Sequence, residues 1–259
     1  MQYHPASAAR YSPGVTTLAI VQARMGSTRL PGKVLREFRG RSALAHCVAR
    51  TRASTAIDDV IVATTLRPED DAIVDACRLH GWRWFRGAEH DVLDRYYRAA
   101  LAGDADTAPD TAIVRITADC PLTDPAVITS LCERFHAERA DYASTSHPVP
   151  TFPLGISVEV MTFAALATAW REDRDPAWRE HVTPFLYRNP DRFAVVGLAS
   201  GGSYAHHRWT LDTHEDAVVI AKLFEALPEH ALGWRDVLAI AEAHPEWHAI
   251  NATVEQRRV

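Results

Sequence analysis

A cationic loop near the start of the chain carries the residue types that bind phosphate. The stretch "VQARMGSTRLPGK", from Val21 to Lys33, follows an apolar run and contains Arg24, Arg29 and Lys33. Gly26 and Gly32 can let backbone amides approach an anion, and arginine and lysine side chains donate hydrogen bonds to phosphate oxygens. The positive end of the next helix can add to this field. The pattern predicts a phosphate-binding loop, and the alternative is a solvated cationic loop.

Spacing separates this loop from two well-known nucleotide-binding loops. Five residues lie between Gly26 and Gly32, one more than a Walker P-loop allows, and Val34 stands where that motif has its metal-binding Ser or Thr. The glycine pattern of a dinucleotide-binding Rossmann turn is also missing from this turn. The loop therefore fits neither class.

Two aspartates follow apolar runs and can act as metal ligands. Asp119 lies in "TADCPL" and Asp212 in "RWTLDTHED". Mg²⁺ accepts one or two carboxylates together with substrate phosphates, so two aspartates at neighbouring strand ends predict a Mg²⁺ site. The alternative for Asp212 is a helix cap shared with Thr213 and Asp216, and the alternative for Asp119 is a cap or turn ahead of the proline.

The elements that must position these loops alternate between strands and helices. "TLAIVQA", "DVIVATT" and "TAIVRIT" are short apolar runs typical of strands buried on both faces, and "WRWF" is a candidate short strand. Helices are predicted between them, one opening at Ser42, one from Pro68 to a stop at Gly81, and one in "DVLDRYYRAALAG". This order predicts an α/β fold with a mostly parallel sheet and helices on both faces, in which both loops open onto one crevice.

The second half of the chain is less regular. A helix is predicted after a cap at Thr123 or Asp124. "ISVEV" alternates like an exposed or edge strand, "FAVVGLA" resembles a further strand, and "HHRWTLDTHEDAVVIAKLFEAL" is predicted to run from a strand into a helix. We expect residues 1–15 to be a mobile tail and residues 16–259 to form one domain. The amphipathic segment near the end is expected to pack on the core, with a homodimer contact as the alternative.

Composition restricts the partners and the location. The net charge of −5 provides no basic field for nucleic acid, so anion binding must be local. No stretch is long and apolar enough to predict a membrane span, and no signal peptide is recognisable. The four cysteines show neither CxxC pairs nor metal-ligand spacing, which favours a reduced, cytoplasmic protein.

Taken together, these segments resemble the cytidylyltransferases of the spore-coat polysaccharide SpsF type, which are related to the synthetases of CMP-Kdo and CMP-sialic acids. The resemblance runs from Thr17 to about Leu227 and rests on "VQARMGSTRLPGKVL", "IVATTLRPEDDAIV", "FRGAEHDVLDRYY", "VRITADCPLTDP", "SVEV", "EHVTPFLY" and "RWTLDTHED", in that order. The fold that it implies is a nucleotidyltransferase sandwich of the glycosyltransferase-A kind.

The resemblance also implies roles for individual residues. Catalysis would depend on Arg24, Lys33, Asp119 and Asp212, with the two aspartates holding Mg²⁺. The triphosphate of CTP would be wrapped by the loop residues Ala23, Arg24, Gly26, Ser27, Arg29 and Lys33. The base and ribose would be surrounded by Thr64, Thr65, Arg86, Gly87 and Asp91. Arg115 would face the crevice and bind a substrate anion, because a buried unpaired arginine is costly. The acceptor would contact Glu159 and His181.

The implied reaction joins CMP from CTP to an acidic sugar, a sugar phosphate or a phosphonate and releases pyrophosphate. Relatives carry acidic residues at two positions that are Leu154 and Ser157 here, so the identity of the acceptor stays open. One alternative is a sugar-nucleotide-dependent glycosyltransferase, although "TADCPL" lacks the usual Asp-x-Asp pair. The other is a nucleotide-binding protein without turnover.

Overall fold

A computed structural model describes residues 17–105, 110–228 and 230–256. The strands are β1 (Thr17–Gln22), β2 (Glu37–Phe38), β3 (Arg41–Ser42), β4 (Asp59–Thr65), β5 (Arg83–Gly87), β6 (Ala112–Thr117), β7 (Tyr142–Ser144), β8 (Glu159–Thr162) and β9 (Val195–Gly197). The α-helices are α1 (Ala43–Arg52), α2 (Asp71–His80), α3 (Val92–Ala102), α4 (Pro125–Ala137), α5 (Phe163–Glu172), α6 (Pro176–His181), α7 (Pro184–Tyr187), α8 (His214–Ala226), α9 (Trp234–Ala243) and α10 (Pro245–Asn251).

Seven of these strands form one sheet in the order β5, β4, β1, β6, β8, β7, β9. The first four pair in parallel, β8 runs antiparallel to both of its neighbours, and β9 pairs in parallel with β7. The fold class predicted from the alternating pattern is therefore confirmed. The carboxyl ends of β1 and β6 lie side by side, since Gln22 pairs with Thr117 at the end of both strands.

Helices cover both faces of the sheet, and a separate apolar core lies on each side. One core packs the sheet against α1, α2, α4, α8 and α9. The other packs the opposite face against α3, α5 and α7. Alternate residues of a strand point to opposite faces, so the β1 side chains divide between the two cores. Leu18 and Ile20 contribute to the α3 side, and Ala19 and Val21 to the other.

The helix boundaries follow the capping chemistry that the sequence predicts. Ser42 Oγ accepts a hydrogen bond from the amide of Ala45 and caps α1. Asp124 caps α4 by accepting from the amides of two first-turn residues. Gly81 ends α2 in the left-handed conformation, with φ of 65°. A side-chain acceptor at the start or a glycine at the end satisfies backbone groups that the helix leaves unpaired.

Two expectations about local structure are wrong, whereas the helix predicted to open at Ser42 is confirmed as α1. A 3₁₀ turn, Lys33–Leu35, and the β2–β3 hairpin separate this helix from the cationic loop. "ISVEV" contributes an interior strand, β8, rather than an edge strand. Its alternating polar residue, Glu159, is balanced by Arg115 opposite it on β6 and not by solvent.

The second error concerns the segment that leads to Asp212. It is buried and extended, but it forms only one isolated bridge, between Leu154 and Arg208, and no sheet strand. Its backbone bonds to loops instead, as when the amide of Leu211 donates to the carbonyl of Asp119 at 2.7 Å. This bond brings the two aspartate loops together without strand pairing.

Two further expectations are limited by what the structure covers. Residues 1–16, which include the predicted tail 1–15, lie outside the described residues, so the division into a tail and one domain stays a prediction. Among the helices that are described, none combines the length and the apolar character required to span a bilayer.

Candidate active site

The carboxyl ends of β1 and β6 open into a cavity of about 530 Å³. It lies between the cationic loop, the start of α3, the end of α6 and the two aspartate loops. Its walls are formed by Gln22, Ala23, Arg24, Gly26, Ser27, Thr28, Arg29, Lys33, Val34, Val92, Arg95, Arg115, Thr117, Ala118, Asp119, Glu180, His181 and Asp212. Five of these residues are arginine or lysine and three are carboxylates, so the walls favour a polyanionic ligand.

The cationic loop is folded by its own backbone and by one buried carboxylate. The carbonyl of Met25 accepts from the amides of Ser27 and Gly32, at 2.8 and 3.0 Å. Gly32 has φ of 71°, a left-handed conformation that favours glycine. Asp70, from the start of α2, accepts from the amide of Met25 at 2.7 Å and fixes the base of the loop.

This folding leaves several loop amides without an acceptor among the described residues. They are the amides of Arg24, Gly26, Thr28 and Arg29. Free amides in a bent loop are the donors that backbone phosphate sites use. The loop can therefore contribute both backbone dipoles and side-chain charge to an anion.

A partly buried ion cluster joins the loop to the two aspartates. The Lys33 ammonium donates to Asp119 Oδ2 at 2.6 Å and to Asp212 Oδ1 at 2.8 Å, so one nitrogen bridges both carboxylates. Arg29 Nη2 lies 3.1 Å from Asp212 Oδ2. Burial opposes ionisation of Lys33, but the two aspartates outweigh it and raise the lysine pKa. Burial likewise opposes ionisation of Asp119, and the charge of Lys33 outweighs it, so the pKa of Asp119 is lowered.

A second arginine holds Asp212 from behind. Arg208 donates to Asp212 Oδ2 at 2.9 Å, and its other donors go to Asp216 and to Gln256 Oε1. Asp216 is fully buried and also accepts from the amide of Asp212. The cap of α8 is Thr213, with Asp216 completing the capping box. The side chain of Asp212 is thus not the helix cap, and it is oriented towards the cavity by Arg208.

Asp119 is also no helix cap, because Asp124 serves α4. It lies in a turn directly after β6, with a side chain that is 26% exposed on the cavity wall. Among the residues that the structure covers, no group of three or more histidine, cysteine or acidic side chains could hold a metal. The two carboxylates do suit a hard cation that takes its remaining ligands from phosphate and water. The ammonium that already bridges them shows that the pair accepts a cation.

Arg115 reaches the cavity from β6 and is held by a buried network. Its Nη1 forms an ion pair with Glu159 Oε2, directly across the antiparallel β6–β8 ladder. Glu159 Oε1 accepts from the hydroxyls of Tyr142 and Thr183, both at 2.5 Å. Burial works against the charge of Arg115, but Glu159 outweighs it and raises the arginine pKa. Both oxygens of Glu159 are therefore occupied, and Glu159 lies behind Arg115 and does not line the cavity.

The other acceptor candidate and the outermost cation lie at the rim. His181 lines the cavity at the end of α6, and burial, followed by the charge of Arg115, lowers its pKa. The Arg24 side chain is 43% exposed and lies 4.0 Å from Glu180. His181 and Arg24 can thus both reach a ligand in the cavity.

The residues expected around the base and ribose do not line this cavity. Thr65 hydrogen-bonds Asp70 through its hydroxyl, and Arg86 Nε donates to the carbonyl of Thr65 at 2.7 Å. Asp91 caps α3 and forms an ion pair with Arg179. Thr64 is buried, and its hydroxyl has no hydrogen-bond partner within the described part of the chain. A role for this group and for Gly87 in nucleotide binding stays a prediction.

Sequence reasoning missed several cavity residues and two supporting residues. Gln22, Arg95 and Thr117 line the cavity, while Asp70 and Arg208 position the loops. Arg95 could have been found, because it occupies a core-facing position of an otherwise apolar α3 stripe. Arg208 was missed although two of its partners, Asp212 and Asp216, lie only four and eight positions after it.

Comparison with known proteins finds relatives over most of the chain. Residues 18–233 match the family model described as cytidylyltransferase. An uncharacterized protein of Methanocaldococcus jannaschii is 38% identical over 242 residues, which are 93% of this chain and 96% of the relative. The spore coat polysaccharide biosynthesis protein SpsF of Bacillus subtilis is 33% identical over 219 residues, 82% of this chain and 88% of the relative. The solved structure of a cytidylyltransferase from Leptospira borgpetersenii has a TM-score of 0.83 at 26% identity, covering 95% of this chain and all of the other.

Proposed function

The chain belongs to the cytidylyltransferase family and is a nucleotidyltransferase, and from this we propose that it joins CMP from CTP to a small anionic acceptor in a Mg²⁺-dependent reaction that releases pyrophosphate. The observation that carries the proposal is the cavity in which the loop cations face Asp119 and Asp212. The family match favours this reaction over a glycosyltransferase and over a binding protein without turnover.

The triphosphate binds to the cationic loop. The free amides of Gly26 and Thr28 donate to phosphate oxygens, with Ala23 and Ser27 beside them on the cavity wall. Arg24 and Arg29 add charge-assisted hydrogen bonds, which are about twice as strong as neutral ones. Binding the nucleotide also gives Lys33 a second set of anions to pair with.

The two aspartates would hold the metal ion. When bound, Mg²⁺ supplies positive charge to the phosphate oxygens on which negative charge develops. Asp212 is oriented for this role by Arg208, and Asp119 by the turn after β6. Lys33 can then move from the carboxylates to the phosphates, where its charge stabilises the leaving pyrophosphate.

In the reaction an acceptor oxygen forms a bond to the α-phosphorus of CTP, and the bond to the bridging oxygen of pyrophosphate breaks. An acceptor phosphate or phosphonate is already ionised and needs no base. An acceptor hydroxyl must lose a proton, and Glu159 cannot take it because both of its oxygens are hydrogen-bonded. The lowered pKa of His181 keeps its imidazole neutral at pH 7, so His181 is the base that we assign on the cavity wall.

We place this reaction in the biosynthesis of a surface polysaccharide or a related glycan, which is supported by the similarity to SpsF of Bacillus subtilis. The acceptor in that setting is an acidic sugar or a sugar phosphate. A cytoplasmic location is supported by four cysteines that are all free and buried.

Nucleotide preference tests the proposal. We expect CTP with Mg²⁺ to raise the melting temperature more than ATP, GTP or UTP does, and we expect pyrophosphate release when sugar acids or sugar phosphates are added with CTP. A preference for a purine nucleotide would exclude the cytidylyl assignment. CTP binding without pyrophosphate release from any acceptor of these classes would exclude the proposed acceptor chemistry.

A further inference from the structure

Buried polar atoms that lack a hydrogen-bond partner gather at one wall of the cavity. Five such side-chain atoms occur among the described residues, and three of them belong to cavity-lining residues: Gln22 Oε1, Arg95 Nε and Arg115 Nε. Buried polar groups are normally paired, because an unpaired one loses its hydrogen bonds to water without replacement. A concentration of unpaired groups beside a cavity therefore indicates a ligand that pairs with them.

The three residues reach this wall from elements on one side of the sheet. Gln22 ends β1, Arg115 lies two residues before Thr117 on β6, and the register pairs Gln22 with Thr117. Gln22, Arg115 and Thr117 share the face of the sheet that α3 covers. Ile20 and Ile113, two positions before Gln22 and Arg115, pack in the α3-side core. We call Gln22, Arg95, Arg115 and Thr117 the α3-side wall. It lines the same cavity as the loop cations and the two aspartates but includes none of them.

Arg95 is the unusual member of the wall because no carboxylate neutralises it. It is 1% exposed, and its Nη1 donates to the backbone carbonyls of Ala88 and Glu89. No ion pair to Arg95 forms within the described residues. Burial lowers its pKa to about 10, a sign that the charge is poorly compensated. A buried charge without a partner is costly, and an anionic ligand would remove that cost.

Both arginines keep the same edge of the guanidinium group available. Arg115 uses Nη1 for Glu159, and Arg95 uses Nη1 for the two carbonyls. The Nε of each arginine has no partner among the described residues, and the hydrogen bonds that the two guanidinium groups form there all use Nη1 and not Nη2. The edge formed by Nε and Nη2 presents two parallel N–H donors, the arrangement that binds carboxylate or phosphate in a bidentate manner.

We propose that the α3-side wall is the acceptor subsite, where Arg95 and Arg115 bind the anionic group of the acceptor and Gln22 Oε1 accepts a hydrogen bond from an adjacent hydroxyl. The acceptor class that fits is a small molecule with a carboxylate or phosphate next to a hydroxyl. This inference rests on the proposed function, because it assumes that the triphosphate occupies the loop and the aspartates.

Three small probes test the subsite in protein saturated with CTP and Mg²⁺: acetate, glycolate and methyl phosphate, observed by ligand-detected proton NMR. We expect at least one of the anions to bind in competition with unlabelled orthophosphate, and ethylene glycol, the neutral control, not to bind. Glycolate should bind more tightly than acetate, since it alone carries a hydroxyl. The comparison of acetate with methyl phosphate identifies which anionic group the wall prefers.

Variants assign the binding to the wall. Arg95→Met should weaken anion binding at least tenfold, leave the affinity for CTP within twofold, and melt no lower than wild type because it removes an uncompensated buried charge. Arg115→Gln leaves Glu159 buried without its partner and can fail to fold, so the Arg115→Gln, Glu159→Gln double variant replaces the ion pair by a neutral one and should show the same loss. Gln22→Met should abolish only the advantage of glycolate over acetate.

The outcomes separate the subsite from the proposed function. Failure of all three anions to bind CTP-loaded protein, or anion binding that survives Arg95→Met, would overturn the subsite. A parallel loss of CTP affinity in Arg95→Met would also overturn it, since the wall would then belong to the nucleotide. If CTP itself does not bind the wild-type protein, the proposed function fails, whatever the anions do.

Discussion

Replacing Lys33 by methionine is expected to change metal binding and nucleotide binding in opposite directions. The Lys33 ammonium bridges Asp119 Oδ2 at 2.6 Å and Asp212 Oδ1 at 2.8 Å. A divalent ion that binds without nucleotide must displace this ammonium from the carboxylates. Lys33→Met removes the competitor, so Mn²⁺ alone should bind the variant more tightly. The same change removes a cation from the triphosphate site, so CTP with Mg²⁺ should bind more weakly.

The general strength of a charge pair sets the scale of the effect. Two unit charges about 4 Å apart attract by about 4 kcal/mol at an effective dielectric constant of about 20. Desolvation of the ammonium offsets much of this, as it does for buried ion pairs in general. A residual competition of about 1.4 kcal/mol corresponds to a tenfold gain in Mn²⁺ affinity. We therefore expect a gain of about tenfold or more.

Stability without metal should fall at the same time. Removing one partner of a buried ion pair costs about 3–5 kcal/mol when the other charge is left uncompensated. Arg29 and Arg208 still balance Asp212 after the change, whereas Asp119 loses its ion-pair partner. The expected loss is therefore smaller, about 1–3 kcal/mol, and it should disappear when Mn²⁺ is added.

The measurements are an electron paramagnetic resonance titration of free Mn²⁺, with and without CTP, and thermal melts in EDTA. Lys222→Met is a matched control, because it makes the same chemical change on α8, where the Lys222 ammonium lies 5.4 Å from the centre of the Trp247 ring. The control should leave Mn²⁺ affinity unchanged. If Mn²⁺ affinity without CTP is unchanged or reduced in Lys33→Met, the ammonium does not compete for the carboxylates and the reasoning is refuted.

Three further predictions follow from single features. Asp119→Asn and Asp212→Asn should each reduce turnover by roughly a hundredfold or more. Because both changes empty one site, the double variant should lose less turnover than the product of the two single losses. A loss equal to that product would contradict the shared site. Burial and two neighbouring histidines lower the pKa of His207 to about 4 from an ordinary value of 6.5, so protonation favours the unfolded chain and stability should fall as the pH drops from 6.5 to 4. His207→Phe should flatten this fall in a series of melts, and an unchanged slope would exclude His207 as the source. Gly87→Ala should lower the melting temperature and displace Phe85 and Arg95, because an added Cβ would lie 2.9 Å from Phe85 Cε1 and 3.1 Å from Arg95 Cγ. A stable variant with unchanged anion binding would contradict this.

The sequence predicted the parallel part of the sheet and the location of the loop because these depend on local patterns. Apolar runs of β-branched residues between capped helices have few alternatives to a buried parallel strand. Once β1 and β6 were placed, the convergence of the loop and Asp119 at one edge followed from parallel geometry. In the structure, the Lys33 side chain contacts both aspartates, as this convergence requires.

What the sequence could not predict depends on pairings across long separations. The sequence of β8 predicts an edge strand because Glu159 is polar. The pairing of Glu159 with Arg115 on β6 explains how an interior strand tolerates this residue. The segment before Asp212 has the composition of a strand, but its hydrogen-bond partners are loops. Arg208 likewise has one distant partner, Gln256, which lies 48 positions later in the chain.

The cross-strand pair of Arg115 and Glu159 constrains how this chain can change over generations. Replacing either residue alone leaves the other as an uncompensated buried charge. Most single substitutions there therefore give a poorly folded intermediate on the way to a double change. Exchange of both together, for example to a neutral pair, avoids that intermediate but gives up the guanidinium that faces the cavity. Among descendants of this sequence we therefore expect the two positions to covary, with joint changes arising where the acceptor has changed.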